Sequence, residues 1–191
     1  MRSVLILLFL LLSAISAGRS GPDINFRPGP LLKDLKDLGC PGDLILKEVV
    51  LSSSDEGFEN IKGKFFTTGC GDNKSFSIYI GRVNSCRAGG CSVPVDDDSL
   101  TDYEFFDYYI LFDKRNSIIS VRVFNYEATH GQEITVKGWL RQFAGYDGSG
   151  FLRIGKEVDS ISGATVSVYS IVNDIRQKTD LLRTLNAGTG Y

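Results

Sequence analysis

The stretch Asp159-Ser160-Ile161-Ser162-Gly163-Ala164-Thr165 reads D-x-x-S-G-A-T and stands immediately before an amphipathic run that marks a helix. The first amide N–H groups of a helix lack internal partners and its dipole puts positive potential there, so such a turn accepts a phosphate. Gly163 and Ala164 carry no bulk that would block a ligand. Thr165 adds a hydroxyl able to form an ester with that phosphate. Residue chemistry alone thus gives an anion site beside a hydroxyl, and Ser162 reads equally as the N-cap of an ordinary helix. His130 is the only His of the chain, which excludes polyhistidine metal centres. With no residue to pair it in a triad or metal site, it reads as an exposed loop residue. Asp96-Asp97-Asp98 is a solvated loop, since a calcium loop needs a Gly and a distal Glu at set positions. The Gly145–Gly150 stretch departs from G-x-G-x-x-G and follows no convincing strand, so direct NADH oxidation by this chain alone is not expected.

Cys40, Cys70, Cys86 and Cys91 make an even set, which favours disulfides in an exported chain. Three pairings are open. The glycines of C-R-A-G-G-C let Cys86 and Cys91 close a short loop at low entropic cost, and elimination then pairs Cys40 with Cys70. A four-thiolate metal or iron–sulfur site lacks its usual C-x2-C pairs, and a redox-active dithiol at Cys86 and Cys91 lacks C-x-x-C geometry.

The D-x-x-S-G-A-T segment resembles the flavinylation sequence of the FMN-binding domain family, found in subunits of sodium-translocating quinone reductases and related membrane electron-transfer complexes. The upstream runs Val123-Phe124-Asn125-Tyr126, Thr129-His130-Gly131-Gln132-Glu133-Ile134 and Trp139-Leu140-Arg141-Gln142-Phe143 are also similar to that family, so the likeness covers roughly residues 108 to 175. The Glu-Thr-Pro-Gly stretch of many members is replaced here by Glu127-Ala128-Thr129-His130-Gly131. The resemblance implies FMN joined to Thr165 through a phosphoester, installed by a flavin transferase that uses FAD and a divalent metal. Ser162, Gly163 and Ala164 would shape the phosphate turn, and Asp159 would serve transferase recognition. Thr129, His130, Gly131 and Glu133 would lie near the isoalloxazine. The implied protein is an electron carrier between a membrane donor and another acceptor. A noncovalent FMN-binding module and a disulfide-stapled exported interaction domain are the alternatives.

The elements that must position this turn follow from periodicity. Leu31, Leu32, Leu35 and Leu38 have helical spacing; residues 44–51, 65–68 and 75–80 are strand-like. Residues 103–112 and 118–126 form a hairpin around a turn at 113–117, expected at the sheet's centre. Trp139, Leu140 and Phe143 have amphipathic spacing and read as core. From Ser162 onward, Val168, Ile171, Val172, Ile175 and Leu182 mark one helix face, with Asn173, Asp174, Arg176 and Lys178 mostly opposite. The expected fold is α+β: an antiparallel sheet with a central hairpin, packed by helices in a single domain.

Arg2, the apolar run from Val4 to Leu12 and the small residues Ser13–Gly18 predict a secretory signal over 1–17. A linker over 18–30, the FMN-binding domain over 31–186 and a tail over 187–191 follow. The protein is therefore expected outside the cytoplasm, periplasmic or at the cell surface and membrane-associated through its partners. A covalent bond would keep the flavin from being diluted away there. With 21 Lys+Arg against 23 Asp+Glu, no global charge attracts nucleic acid.

Overall fold

The computed structural model describes residues 22–40, 42–51, 61–71, 74–87 and 103–188. The predicted signal over 1–17, Cys91 and Asp96–Asp98 lie outside the described residues. The elements are α1 (Gly29–Asp37), β1 (Lys47–Glu48), β2 (Gly63–Cys70), β3 (Lys74–Arg87), β4 (Tyr103–Phe112), β5 (Ile118–Tyr126), α2 (Lys137–Leu140) and α3 (Thr165–Gly188). Single 3-10 turns, Gln132–Thr135 and Arg141–Phe143, flank α2. The strands form one antiparallel meander in the order β1-β2-β3-β4-β5. The α+β single domain is as expected. The hairpin of β4 and β5 contributes one interior strand and one edge strand, so the central placement holds for β4, with β3 as the middle strand.

Both sheet faces are covered, which explains why every residue from Phe106 to Phe112 is buried. On one face Phe106, Tyr108, Ile110 and Phe112 meet Val168, Ile171, Val172 and Ile175 of α3, together with Trp139, Leu140 and Phe143. On the other, Ile78, Ile80, Tyr109 and Leu111 meet Leu31 and Leu35 of α1. Ile24 and Phe26 pack there too, and Phe26 tilts against Phe66 at 5.7 Å. The core contacts thus begin upstream of Leu31, inside the stretch read as linker. The strand expected over 44–51 contracts to Lys47–Glu48, paired with Thr67 and Phe66. Its neighbours Ile45 and Val50 point outward and are exposed.

Cys40 and Cys70 form the expected disulfide and tie the end of α1 to the end of β2 across a Cα separation of 4.8 Å. Asp174 and Lys178, expected opposite the apolar face of α3, instead turn toward the sheet. Lys178 is 5% exposed, pairs with Asp174 at 2.8 Å and lies 5.5 Å from the Tyr79 ring. Asp174 also accepts the Tyr108 hydroxyl at 2.6 Å. The Tyr108 hydroxyl and the Tyr79 ring face on the sheet supply partners that a helix-face pattern does not reveal.

Tyr79 lies over paired Gly63 and Gly81, where a Cβ at Gly63 would come within 2.6 Å of its hydroxyl oxygen. That hydroxyl is buried and has no hydrogen-bond partner. An unpaired buried hydroxyl costs stability, so Tyr79→Phe is expected to raise unfolding free energy by about 1 kcal/mol or leave it unchanged. Urea denaturation checks this; a loss above about 1 kcal/mol would show that the oxygen has a partner after all.

Candidate functional site

The predicted turn is held from below by the helical segment before it. Trp139 is buried with Phe143, and its indole Nε1–H donates to the Asp159 carbonyl at 2.9 Å. Gln142 accepts the Asp159 amide at 2.8 Å and donates to the Trp139 carbonyl at 3.0 Å. Trp139 and Phe143 are core residues, as their spacing predicts. The W-L-R-Q-F run also does something the sequence reading missed: it clamps the backbone of Asp159 while leaving that residue's side chain exposed.

Beyond the clamp, the Ala164 amide donates back to the Ile161 carbonyl at 3.2 Å, closing a turn around Ser162 and Gly163. Gly163 has φ +84°, a left-handed conformation that favours glycine. No atom lies within 4 Å of where its Cβ would stand, so the turn faces open space. Ala164 is 2% exposed and anchors the turn in the core. Its carbonyl accepts the Val168 amide at 2.9 Å, which makes Ala164 the N-cap. Ser162 is therefore not the cap, and an alanine methyl cannot satisfy the first-turn amides. The Thr165, Val166 and Ser167 amides precede the first intrahelical bond. Thr165 itself is exposed, and no acidic residue stands in this first turn. The donor set, the open approach and the missing negative charge fit a phosphate esterified to Thr165.

The second predicted segment meets the same helix. Gly131, at φ +89°, sits so close that a Cβ would come within 2.5 Å of Ser167 Oγ. Ser167 is buried and shares a 2.9 Å hydrogen bond with Ser85 of β3. Tyr126, ending β5, donates to the His130 carbonyl at 2.5 Å and lies 3.2 Å from Ser167 Oγ. Burial pushes the Tyr126 hydroxyl upward, the Ser167 bond opposes this, and the charges of Glu133 and Glu104 add to the rise. It stays protonated at neutral pH and remains a donor. Thr129 gives its amide to Glu104 at 3.0 Å and its hydroxyl to the same carboxylate, so its polar groups are engaged with β4. His130 and Glu133 are exposed. The structure thus brings residues 129–133 against the first turn of α3 through Gly131, Ser167 and Tyr126. Ser85 carried no signal of this in sequence; Tyr126 stood in one of the upstream runs named above with no role assigned to it, and Ser167, two residues past Thr165, carried only its position.

Gly131→Ala combines a left-handed backbone with a clash against a side chain that cannot rotate without abandoning Ser85. It is expected to lower stability by about 2–3 kcal/mol. Gly138→Ala, where the nearest atom lies 3.9 Å from the added Cβ, is the matched control and should unfold like the wild type. Equal melting temperatures for the two variants would contradict the packing of Gly131 on Ser167.

Two half-open clefts run along β5. One of about 280 Å³ lies between Val121, Leu140 and Ala144; one of about 380 Å³ lies between Lys33, Val123 and Thr135. None of the predicted site residues lines either. Among the described residues no cluster of metal-binding side chains occurs and no helix is long and apolar enough to cross a membrane. No protein-family model, no curated protein and no solved structure matches this chain.

Proposed function

We propose that this protein is an exported flavoprotein electron carrier whose FMN is held on Thr165 by a phosphoester. One observation carries the reading: a full D-x-x-S-G-A-T match folds into an open turn that leads into the Thr165, Val166 and Ser167 amides, which precede the first intrahelical bond of α3, and that leaves Thr165 exposed at the helix start. Attachment requires a flavin transferase and a divalent metal. The Thr165 oxygen attacks the FMN phosphorus of FAD and the pyrophosphate bond breaks. AMP leaves, and the hydroxyl proton passes to a base of the transferase. The Gln142–Trp139 clamp fixes the start of the recognised segment, while Ala164 holds its end in the core. The bound flavin supplies one- and two-electron redox chemistry; the chain supplies position and solvent access. A membrane donor and a separate acceptor complete the path, outside the cytoplasm.

Denaturing gel electrophoresis after co-expression with a flavin transferase tests this. A fluorescent band at the mass of the chain is expected. Yellow colour lost on denaturation would point instead to noncovalent FMN, and a colourless protein to an interaction domain.

A further inference from the structure

We propose that Tyr169 is the aromatic contact for the isoalloxazine of the FMN carried by Thr165, an inference that rests on the flavinylation reading above. Tyr169 follows Thr165 by four residues in α3. A four-residue step advances a helix by about 6 Å and rotates it by only about 40°, so the two side chains stand on one flank. Long and aromatic helical side chains lean toward the N-terminus, so the Tyr169 ring covers the turn that begins at Thr165. The opposite flank, where the 129–133 segment expected near the ring meets α3, is already committed, because Ser167 is buried against Ser85, Tyr126 and Gly131; the proposed contact therefore puts the ring on the flank away from that segment.

Tyr169 is 54% exposed and Val166, beside it, 38%. The other rings near the turn are occupied. Tyr126 stacks on Phe106 at 5.7 Å with a 9° interplanar angle, and Trp139 packs edge-on against Phe143 at 5.4 Å. Tyr169 thus offers a free ring face on the flank from which the Thr165 hydroxyl leaves the helix. A flat, largely apolar ring system tethered one turn away would cover it, gaining offset stacking beyond simple area burial.

Phenol in contact with an excited flavin donates an electron to it and quenches its emission, which gives a spectroscopic test. Wild type, Tyr169→Phe and Tyr169→Ala would be produced with the transferase, and intact mass would establish that each carries FMN less one water. Flavin emission would then be compared in folded and denatured protein. Folded Tyr169→Ala is expected to be severalfold brighter than the folded wild type, with denaturation abolishing the difference. Tyr169→Phe should keep the wild-type flavin absorption envelope, because stacking survives, while losing the phenol's quenching. Equal folded emission from fully modified wild type and Tyr169→Ala would overturn the contact. So would a gain in emission from Tyr126→Phe alone, which would put the ring on the other flank. A wild type without the mass gain would sink the flavinylation reading itself, and this inference with it.

Discussion

Thr165→Val, co-expressed with a flavin transferase, is expected to give a colourless protein that gains no mass and shows no fluorescence on a denaturing gel, with its fold intact. Valine matches threonine in shape but has no hydroxyl to esterify. The side chain at 165 is exposed, so the substitution leaves no buried group unpaired and should cost little stability. Loss of flavin together with an unchanged melting temperature separates failed attachment from failed folding. Thr165→Ser keeps a hydroxyl at the same place and should regain modification. Full flavinylation of the valine variant would remove Thr165 as the attachment point.

The largest expected loss of stability comes from Asp34, on the far side of the sheet. Its carboxylate accepts two bonds from Arg122 at 2.7 and 2.8 Å, one from Tyr109 at 2.8 Å and one from Ser120 at 3.1 Å. These bonds dock α1 onto β4 and β5. Asp34→Ala leaves Arg122 and two hydroxyls without their acceptor in a mostly buried position. The expected loss is about 3 kcal/mol, read as a shift of the urea midpoint. A loss below about 1 kcal/mol would contradict the docking role.

The same carboxylate predicts a pH dependence. Burial pushes its pKa up, but the Arg122, Tyr109 and Ser120 hydrogen bonds and the Arg122 charge outweigh that and hold it below the ordinary value. Above the unfolded value of about 3.9 its contribution is fully present, and it fades as pH falls through the lower folded value. The stability gap between wild type and Asp34→Ala should therefore be constant from neutral pH down to about 5 and narrow only in more acid solution.

The periodic elements were legible in the residues. Leu31 and Leu35 gave α1, the strand-like run 65–68 gave β2, the alternation of Phe76, Ile78 and Ile80 gave only the first half of β3, which runs on to Arg87, and the apolar stripe from Val168 to Leu182 gave α3. What escaped depends on tertiary partners. Ile45 and Val50 look like strand residues, yet they lie at the sheet's first edge, where only Lys47 and Glu48 pair. Asp174 and Lys178 look solvated, yet they face Tyr108 and Tyr79. The candidate turn stood out because its chemistry is local: one hydroxyl and a few amides within seven residues. Its supports were not, because Gln142, Ser85 and Tyr126 reach it only through the fold. Ser162 looked like a cap because capping is written in the sequence as a residue type, whereas the register that makes Ala164 the cap is fixed by Gly163 and the buried Ala164 methyl.

The most direct measurement is tandem mass spectrometry of the tryptic peptide Glu157–Arg176 from protein matured by a flavin transferase. The peptide contains Thr165 together with Ser160, Ser162, Ser167 and Ser170. A mass gain of FMN less one water, with fragments locating it on Thr165, is the predicted result. An unmodified peptide, or the added mass on one of the serines, would contradict it.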